Sequence, residues 1–370
     1  MVPRAVPPVK GFDTLLTAMS IDLREPWLIG SVRIPSRLVL APMAGVSAQA
    51  FRRQGRRFGA GLVCSEMVSC AGLHHLNERT LGYLRIADDE HPLAVQLFGS
   101  DPGLMAEAAR TVERAGADLV DVNFGCPVRK VTKTGAGATL LEQPDAACRI
   151  VAAIAEAVSI PVTVKMRRGL EDGSRACLEL GPALERAGAA CLVLHPRSAR
   201  QMYTGRAEHA LTAELVARVS VPVVACGDID SAARARAVLA DTGASAVMVG
   251  RAAQGNPWLL REIVDGRCER PTPEEVVAEL VHFVRESVRE LGPRRASGFL
   301  KKFYGWYLVH GRFPRALRQE LVRLETTDEV ERRLLKLVPG ATAILEQLEA
   351  EEPGGGGVTL ELPVSIYGGG

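Results

Sequence analysis

An α/β fold, a closed (β/α)8 (TIM) barrel followed by a small C-terminal helical domain, is what this 370-residue sequence predicts, on three observations. Eight short apolar runs recur along the first two-thirds of the chain, separated by helix-compatible stretches. The signals that introduce those runs alternate between Gly-Ala and proline. Beyond about residue 265 the strand pattern stops and only helical patterning continues.

Taken in order, WLIGSVRIPS (27–36) reads as a short hairpin placed to plug the barrel floor. The eight runs follow: LVLAPMAG (38–45), GLVCSEM (61–67), PLAVQLFG (92–99), LVDVNFGC (119–126), PVTVKMR (161–167), CLVLHPR (191–197), PVVACGDI (222–229) and AVMVGR (246–251). They are rich in Val and Leu and lack strict alternation, as parallel strands covered on both faces require. Gly-Ala at 59–60, 116–117, 188–189 and 243–244 closes the helix before runs two, four, six and eight. Pro92, Pro161 and Pro222 do the same before runs three, five and seven. Eight such units in roughly 215 residues suit a closed barrel better than an open sheet. An open doubly wound sheet carries a Gly-rich fingerprint after its first strand, and here the first run leads into Pro42-Met43.

PTPEEVVAELVHFVRESVREL then begins with prolines and acids, as a helix N-terminus should. The expected division is an N-terminal extension (1–26), a catalytic barrel (27–264), a helical domain (265–350) and a flexible glycine-rich tail (351–370). With 47% hydrophobic and 24% charged residues the chain is neither disordered nor fibrous. Its eight cysteines form no C-x-x-C pair, which points away from zinc and disulfides and toward a reducing compartment. No run approaches the roughly 20 apolar residues of a membrane span, and no cleavage signal stands out near the N-terminus. A cytoplasmic protein without metal, membrane or obligate protein partner is the expectation.

In such a barrel the chemistry sits at the C-terminal ends of the strands. Each run here ends in polar or otherwise unusual residues: Met43, Glu66, Gln96, Asn123 with Cys126, Lys165 with Arg167, His195 with Arg197, Asp228, and Arg251. Lys165, bracketed by strand-forming residues, is costly to bury without an anion. Gln96 can both donate and accept. Gly227-Asp228 and Gly250-Arg251 follow runs seven and eight, the common phosphate site of this fold. Gly135 and Gly137 form no G-x-G-x-x-G after a strand, so no Rossmann site is present.

The motifs APMAGVS, SEM, VQLFGS, VNFGCP, KTGAGATLL, VKMRRG and VMVGRAAQGNPW resemble those of the tRNA-dihydrouridine synthases, bacterial B-type, in the right order from about residue 27 to 335. The resemblance implies an FMN-binding barrel with a helical tRNA-binding domain, an NAD(P)H-dependent flavoprotein of tRNA processing. The implied reaction reduces the C5–C6 double bond of selected uridines. Hydride from reduced FMN reaches C6 and the thiol of Cys126 protonates C5, while NADPH (or NADH) recharges the flavin by approaching it directly. Pro42, Met43 and Ala44 would line the flavin, Gln96 would face its carbonyl and N–H edge, and Lys165 would balance negative charge on the reduced ring. Gly227, Asp228, Gly250 and Arg251 would hold the phosphate, with His195 at the phosphate or the uracil. Two positions depart from the family pattern. Cys226 with Gly227-Asp228 replaces Asn-Gly-Asp, and His195-Pro196-Arg197 replaces His-Thr-Arg. The other seven cysteines read as small buried thiols.

Net charge, +2, says nothing about nucleic acid, but its distribution does. Between 285 and 323 ten Lys or Arg face three Glu, around an aromatic-rich stretch, FLKKFYGWYLVHGRF (299–313). Most of those aromatics are expected in the helical core, while Arg294, Arg295, Lys301 and Lys302 are candidate phosphate contacts. Arg129, Lys130 and Lys133 are expected to face RNA as well. The competing enzyme class is an FMN barrel reductase of a small molecule, similar to dihydroorotate or dihydropyrimidine dehydrogenases, which leaves the basic appendage unexplained. The non-enzymatic alternative, a protein that only binds tRNA, leaves Cys126 and Lys165 unexplained.

Overall fold

The computed structural model describes residues 21–267 and 270–351. Eight parallel strands close into a ring: β3 (Leu38–Leu40), β4 (Leu62–Cys64), β6 (Leu93–Phe98), β7 (Leu119–Phe124), β8 (Val162–Arg167), β9 (Cys191–His195), β10 (Val223–Cys226) and β11 (Ala246–Val249). Closure comes from β11 pairing with β3, and β4 with β6. A two-residue strand, β5 (Val68–Ser69), adds to the upper end of β6. The expected (β/α)8 barrel is therefore present, with every expected strand in its place. Each glycine of the four Gly-Ala pairs sits at positive φ, from +67° at Gly243 to +106° at Gly188, the geometry that ends a helix and admits glycine most readily.

The hairpin of β1 (Trp27–Ile29) and β2 (Val32–Ile34) pairs antiparallel across its turn. Ile29 and Ile34 are buried and pack against inward-facing residues of β3, β4, β6, β7, β9, β10 and β11. The hairpin thus closes the floor, as its sequence suggested. Just before it, Leu23 is fully buried and its carbonyl accepts the Arg37 N–H (2.7 Å), so Leu23 anchors this segment to the barrel's base. The first twenty residues of the expected extension, and 352–370 of the expected tail, lie outside the described residues.

Among the described residues five helices follow the barrel: Pro273–Leu291, Pro293–Leu308, Arg315–Arg323, Thr327–Leu337 and Ala341–Glu351. The first opens on a reciprocal cap between Thr272 and Glu275 with Pro273 at its first position. Phe283, Phe303 and Tyr307 are buried at the centre of these helices, with Phe299 and Trp306 half-buried beside them. The aromatics are core, as expected. Their cluster is continuous with the barrel's outer layer through the helix Gln49–Arg57, where the Phe51 and Phe303 rings stand 6.4 Å apart. Beside that contact the buried Gln54 amide meets Tyr307 and Glu279, and Arg57 pairs with Glu279. Among the described residues no helix is long and apolar enough to cross a membrane.

Candidate active site

Inward-facing residues climb each strand two at a time, apolar near the floor and polar near the mouth. On β6 the step runs from Ala94 to Gln96, on β7 from Leu119 to Asp121 and Asn123, and on β8 from Thr163 to Lys165. On β9 it reaches His195, on β10 Cys226, and on β11 it passes Met248 to Gly250. The polar strand ends read from the sequence converge on one mouth.

Cys126 stands on a turn after β7 that is tied at every backbone group. Asn123 Oδ1 accepts the N–H of Gly125 (3.1 Å) and of Cys126 (2.8 Å). The Gly125 carbonyl accepts Arg167 Nε (2.9 Å), and the Cys126 carbonyl accepts the Ala138 N–H (3.0 Å). Gly137 has φ +64°, and a Cβ there would lie 2.7 Å from the Cys126 oxygen, so glycine is what lets the KTGAG segment wrap this turn. The thiol packs beside Val131 and Ala136 with slight exposure. Of the other cysteines, 64, 70, 177, 191 and 226 are buried and Cys148 is half-buried, whereas Cys268 lies outside the described residues.

Beside the Cys126 turn, positive charge accumulates. Arg167 and Arg197 are both buried and committed. Arg167 donates to the Ser198 and Met202 carbonyls (2.8 Å each), and Arg197 donates to Thr204 (3.0 Å), Gly205 (2.7 Å) and the Asp228 carboxylate (2.7 and 2.9 Å). Burial alone would raise Asp228, but the Ala207 N–H and Arg197 outweigh it and hold the carboxyl below its usual range. Lys165, half-buried, and Arg251, exposed, differ: among the described residues neither forms an ion pair, although Lys165 lies near enough to Asp121 to favour its ionised form. His195 lies between them and Gly227, whose Cβ, if present, would be 2.8 Å from the ring. Burial first, then Lys165, Arg167, Arg197 and Arg251, push His195 down to about 2, so the imidazole is neutral.

This donor set fits an anionic, planar cofactor. Lys165, Arg251, a neutral imidazole and glycine turns at 227 and 250 stand at or just past the upper ends of the neighbouring strands β8 to β11, and Met43 reaches Gly250 and Gln254 across the β3–β11 seam. Gln96 is fully buried, its amide held by Asp121 (2.6 Å) and Asn123 (2.8 Å), which leaves it one N–H and one lone pair to offer.

Three features of the site escaped the sequence reading. Asp121 lies hidden in an apolar run, two residues before Asn123, and that spacing was the available signal. Tyr203, in the loop after β9, is 52% exposed with the Arg251 guanidinium 4.4 Å and that of Arg167 5.5 Å from its ring centre. No sequence signal marked it. The third is a correction. Lys302 does not face outward for phosphates: it is half-buried over Phe299 (4.4 Å) and donates to the Gly45 carbonyl, while Glu66 accepts the Gly45 N–H. Burial raises Glu66 and lowers Lys302, and each charge offsets part of that effect on the other. Arg129, Lys130 and Lys133 are exposed, as expected. Between mouth and helices opens a cleft of about 970 Å³ whose lining includes Glu66, Lys130, Arg294, Arg295 and Phe299.

A family model described as dihydrouridine synthase (Dus) matches residues 39–343. The chain belongs to the dihydrouridine synthase family. The tRNA-dihydrouridine synthase B of Pseudomonas aeruginosa is 39% identical over 306 residues, 81% of this chain and 92% of that protein. That of Vibrio cholerae is 38% identical over 310 residues, 81% and 95% of the two chains. A probable tRNA-dihydrouridine synthase of Rhodobacter capsulatus is 40% identical over 315 residues, 80% and 92%. Among solved structures, histamine dehydrogenase from Rhizobium sp. 4-9 superposes with a TM-score of 0.54 at 17% identity, over 71% of this chain and 50% of that one. A 2-naphthoyl-CoA reductase gives 0.54 at 12% identity, over 66% and 52%. At such identities the likeness is of the barrel fold alone.

The neutral His195 in this dihydrouridine synthase carries a pH prediction. Its folded pKa lies below the ordinary 6.5, so unfolding takes up a proton and stability falls as pH drops from about 6.5. Asp121, raised to about 6 by burial, works in the opposite sense between 3.8 and 6 and is common to both proteins compared. His195→Gln should therefore gain on the order of 2 kcal/mol relative to the parent between about pH 7.5 and about pH 5, at 1.36 kcal/mol per unit. Urea midpoints without added phosphate check this. A difference that does not change with pH would show that the native imidazole takes up the proton.

Proposed function

We propose that this chain is a cytoplasmic flavoenzyme that reduces selected tRNA uridines to 5,6-dihydrouridine, with FMN at the barrel mouth and NADPH or NADH as reductant. Membership of the family is the observation that carries the reading. The unpaired cations of the mouth, adjoining an arginine-lined cleft, support it further. A reductase of small molecules would leave that cleft without a use.

When bound, FMN supplies the hydride that goes to uracil C6. The chain's own residues do the rest. Cys126 is the proton donor to C5, and a turn tied at both N–H groups and both carbonyls supports that role by fixing the thiol before substrate arrives. Lys165 is the cation beside the flavin ring, where fixed positive charge favours the reduced state. Arg251, with the N–H groups of the turns at Gly227-Asp228 and Gly250, holds the phosphate, and neutral His195 donates a single hydrogen bond there. Pro42, Met43, Ala44 and Cys226 line the ring, and Gln96 offers it its remaining N–H and lone pair. Residues 265–350 form the tRNA-binding part, with Arg294, Arg295 and Lys130 on the cleft as phosphate contacts.

Three outcomes test this. Cys126→Ala should retain FMN and oxidise NADPH, yet make dihydrouridine about 10²–10⁴-fold more slowly in single turnover, the usual loss of a positioned acid. Mapping dihydrouridine in tRNA from a strain lacking the gene, complemented by either form, identifies the sites; wild-type product from the variant would remove Cys126 from the mechanism. Lys165→Ala should weaken FMN retention or flavin reduction, read by visible absorbance, and unchanged values of both would count decisively against its role. Neutralising Arg294, Arg295 and Lys301, while leaving Lys302, should lower tRNA affinity and flatten its log–log salt dependence by about 0.7–0.9 per lost contact. Equal binding by parent and variant at every salt concentration would take tRNA off this face.

A further inference from the structure

Below the Cys126 turn runs a row of side chains whose donors and acceptors point one way. Gln96, Asp121 and Thr163 are in register on β6, β7 and β8. Thr163 Oγ1 donates to Asp121 Oδ1 (2.5 Å), and Gln96 Nε2 donates to Asp121 Oδ2 (2.6 Å). Asn123 Nδ2 then donates to Gln96 Oε1 (2.8 Å), which leaves Asn123 Oδ1 to accept the N–H groups of Gly125 and Cys126.

We propose that Asp121 is a positioning residue whose carboxylate sets the direction of the Gln96 and Asn123 amides, and through them holds the turn that carries the Cys126 thiol. Its catalytic meaning rests on the reading of Cys126 as proton donor, whereas the hydrogen-bond order stands without it.

A primary amide can turn end for end at little steric cost, because its oxygen and nitrogen are nearly the same size. Its direction must be imposed by neighbours. At the deep end an ionised carboxylate accepts only, so Gln96 must present nitrogen to Asp121 and oxygen to Asn123. At the mouth, two backbone donors require oxygen from Asn123. Both ends agree in this chain. Should they conflict, the mouth yields, since water reaches the turn more readily than the buried row. An apolar residue at 121 would carry no buried charge, where burial raises this carboxyl to about 6, yet could not impose the direction, and a neutral amide there could impose it only with the Thr163 hydroxyl as acceptor.

The test is a double-mutant cycle read by alkylation of Cys126 with iodoacetamide in the FMN-loaded protein, each cysteine peptide being followed by mass spectrometry. Thr163→Val keeps the carboxylate and the order. Asp121→Asn also keeps it, because the Thr163 hydroxyl can accept from the new amide while its oxygen still faces Gln96. Together they leave the amide nitrogen no acceptor but Gln96, so the row inverts and Asn123 turns its NH₂ against the two turn donors. Each single variant should label Cys126 within about three-fold of the parent rate, and the double variant about ten-fold faster or more, a non-additivity expected only of coupled groups. Cys148, half-buried on the outer helix Pro144–Ala157, should label at one rate throughout and so reports any general loosening. Should the double variant not fold, Asp121→Leu serves in its place: it removes the acceptor, and Cys126 labelling should rise.

Additive rates in the cycle, a parallel rise at Cys148, or parent-like labelling of Asp121→Leu would each overturn the proposal. Labelling needs no tRNA, so a parent that makes no dihydrouridine would overturn the proposed function and leave this cycle to be judged separately.

Discussion

Fixed positive charge at the barrel mouth is the constraint around which the other parts are arranged. Buried cations are costly unless paired, and the chain resolves this in two ways. Arg167 and Arg197 are satisfied internally by loop carbonyls and by Asp228, which turns them into staples. One ties the Cys126 turn to the loop after β9, and the other ties that loop to β10. Lys165, half-buried, and Arg251, exposed, form no ion pair among the described residues, so their charge stays open at the mouth. Burial first, and this field after it, keep His195 neutral, so it can offer an anion one N–H and not a further positive charge. A mouth built this way is stiff before any ligand arrives.

The helical part is attached by a second set of polar contacts, and this changes how its basic residues should be counted. Arg285 pairs with Glu331 and Glu349 on two later helices, while Arg289 pairs with Glu286 on its own helix and reaches Glu349 at 4.0 Å, so both charges are used within the helical part. Lys302 is used on the barrel: it donates to the Gly45 carbonyl while Glu66 accepts the Gly45 N–H, one residue beyond Ala44. The segment proposed to line the flavin is thus shaped partly by a side chain from the appendage. A local excess of charge in sequence therefore overstates how much of it stays free on the surface, and of the basic residues left over Arg294 and Arg295 are the ones exposed on the cleft.

The barrel was legible because its signals are local. Apolar runs, the glycine of each Gly-Ala and the prolines act within a few residues, and the residues at strand ends follow from the fold's polarity. What stayed hidden depends on contacts between distant segments. Lys302 reads as one more surface cation until the helix Pro293–Leu308 is docked beside Gly45. Tyr203 is an unremarkable loop aromatic until two arginines from other strands bracket it. Asp121 could have been found. A charged residue in step with Asn123 on a strand covered on both faces has only the barrel interior to face, and burial there requires partners such as Gln96 and Thr163.

The unusual His195-Pro196-Arg197 sequence follows from the same demand for stiffness. The Arg197 N–H donates to the His195 carbonyl (2.8 Å), a three-residue turn centred on position 196. Such an inverse γ-turn wants φ near −75° at its centre, close to the value a proline ring enforces. The N–H that proline lacks is not the one this turn uses, and its carbonyl still accepts the Glu208 N–H (3.2 Å). The turn throws Arg197 sideways onto Asp228, which takes φ +55° just past β10, and leaves His195 pointing into the mouth. Proline therefore fixes in the backbone a divergence of two neighbouring side chains, one spent on the scaffold and one offered to the site. Cys226 beside them is compatible with that arrangement because the adjoining Gly227, at φ +111° and in close contact with the His195 ring, admits no side chain whatever residue precedes it.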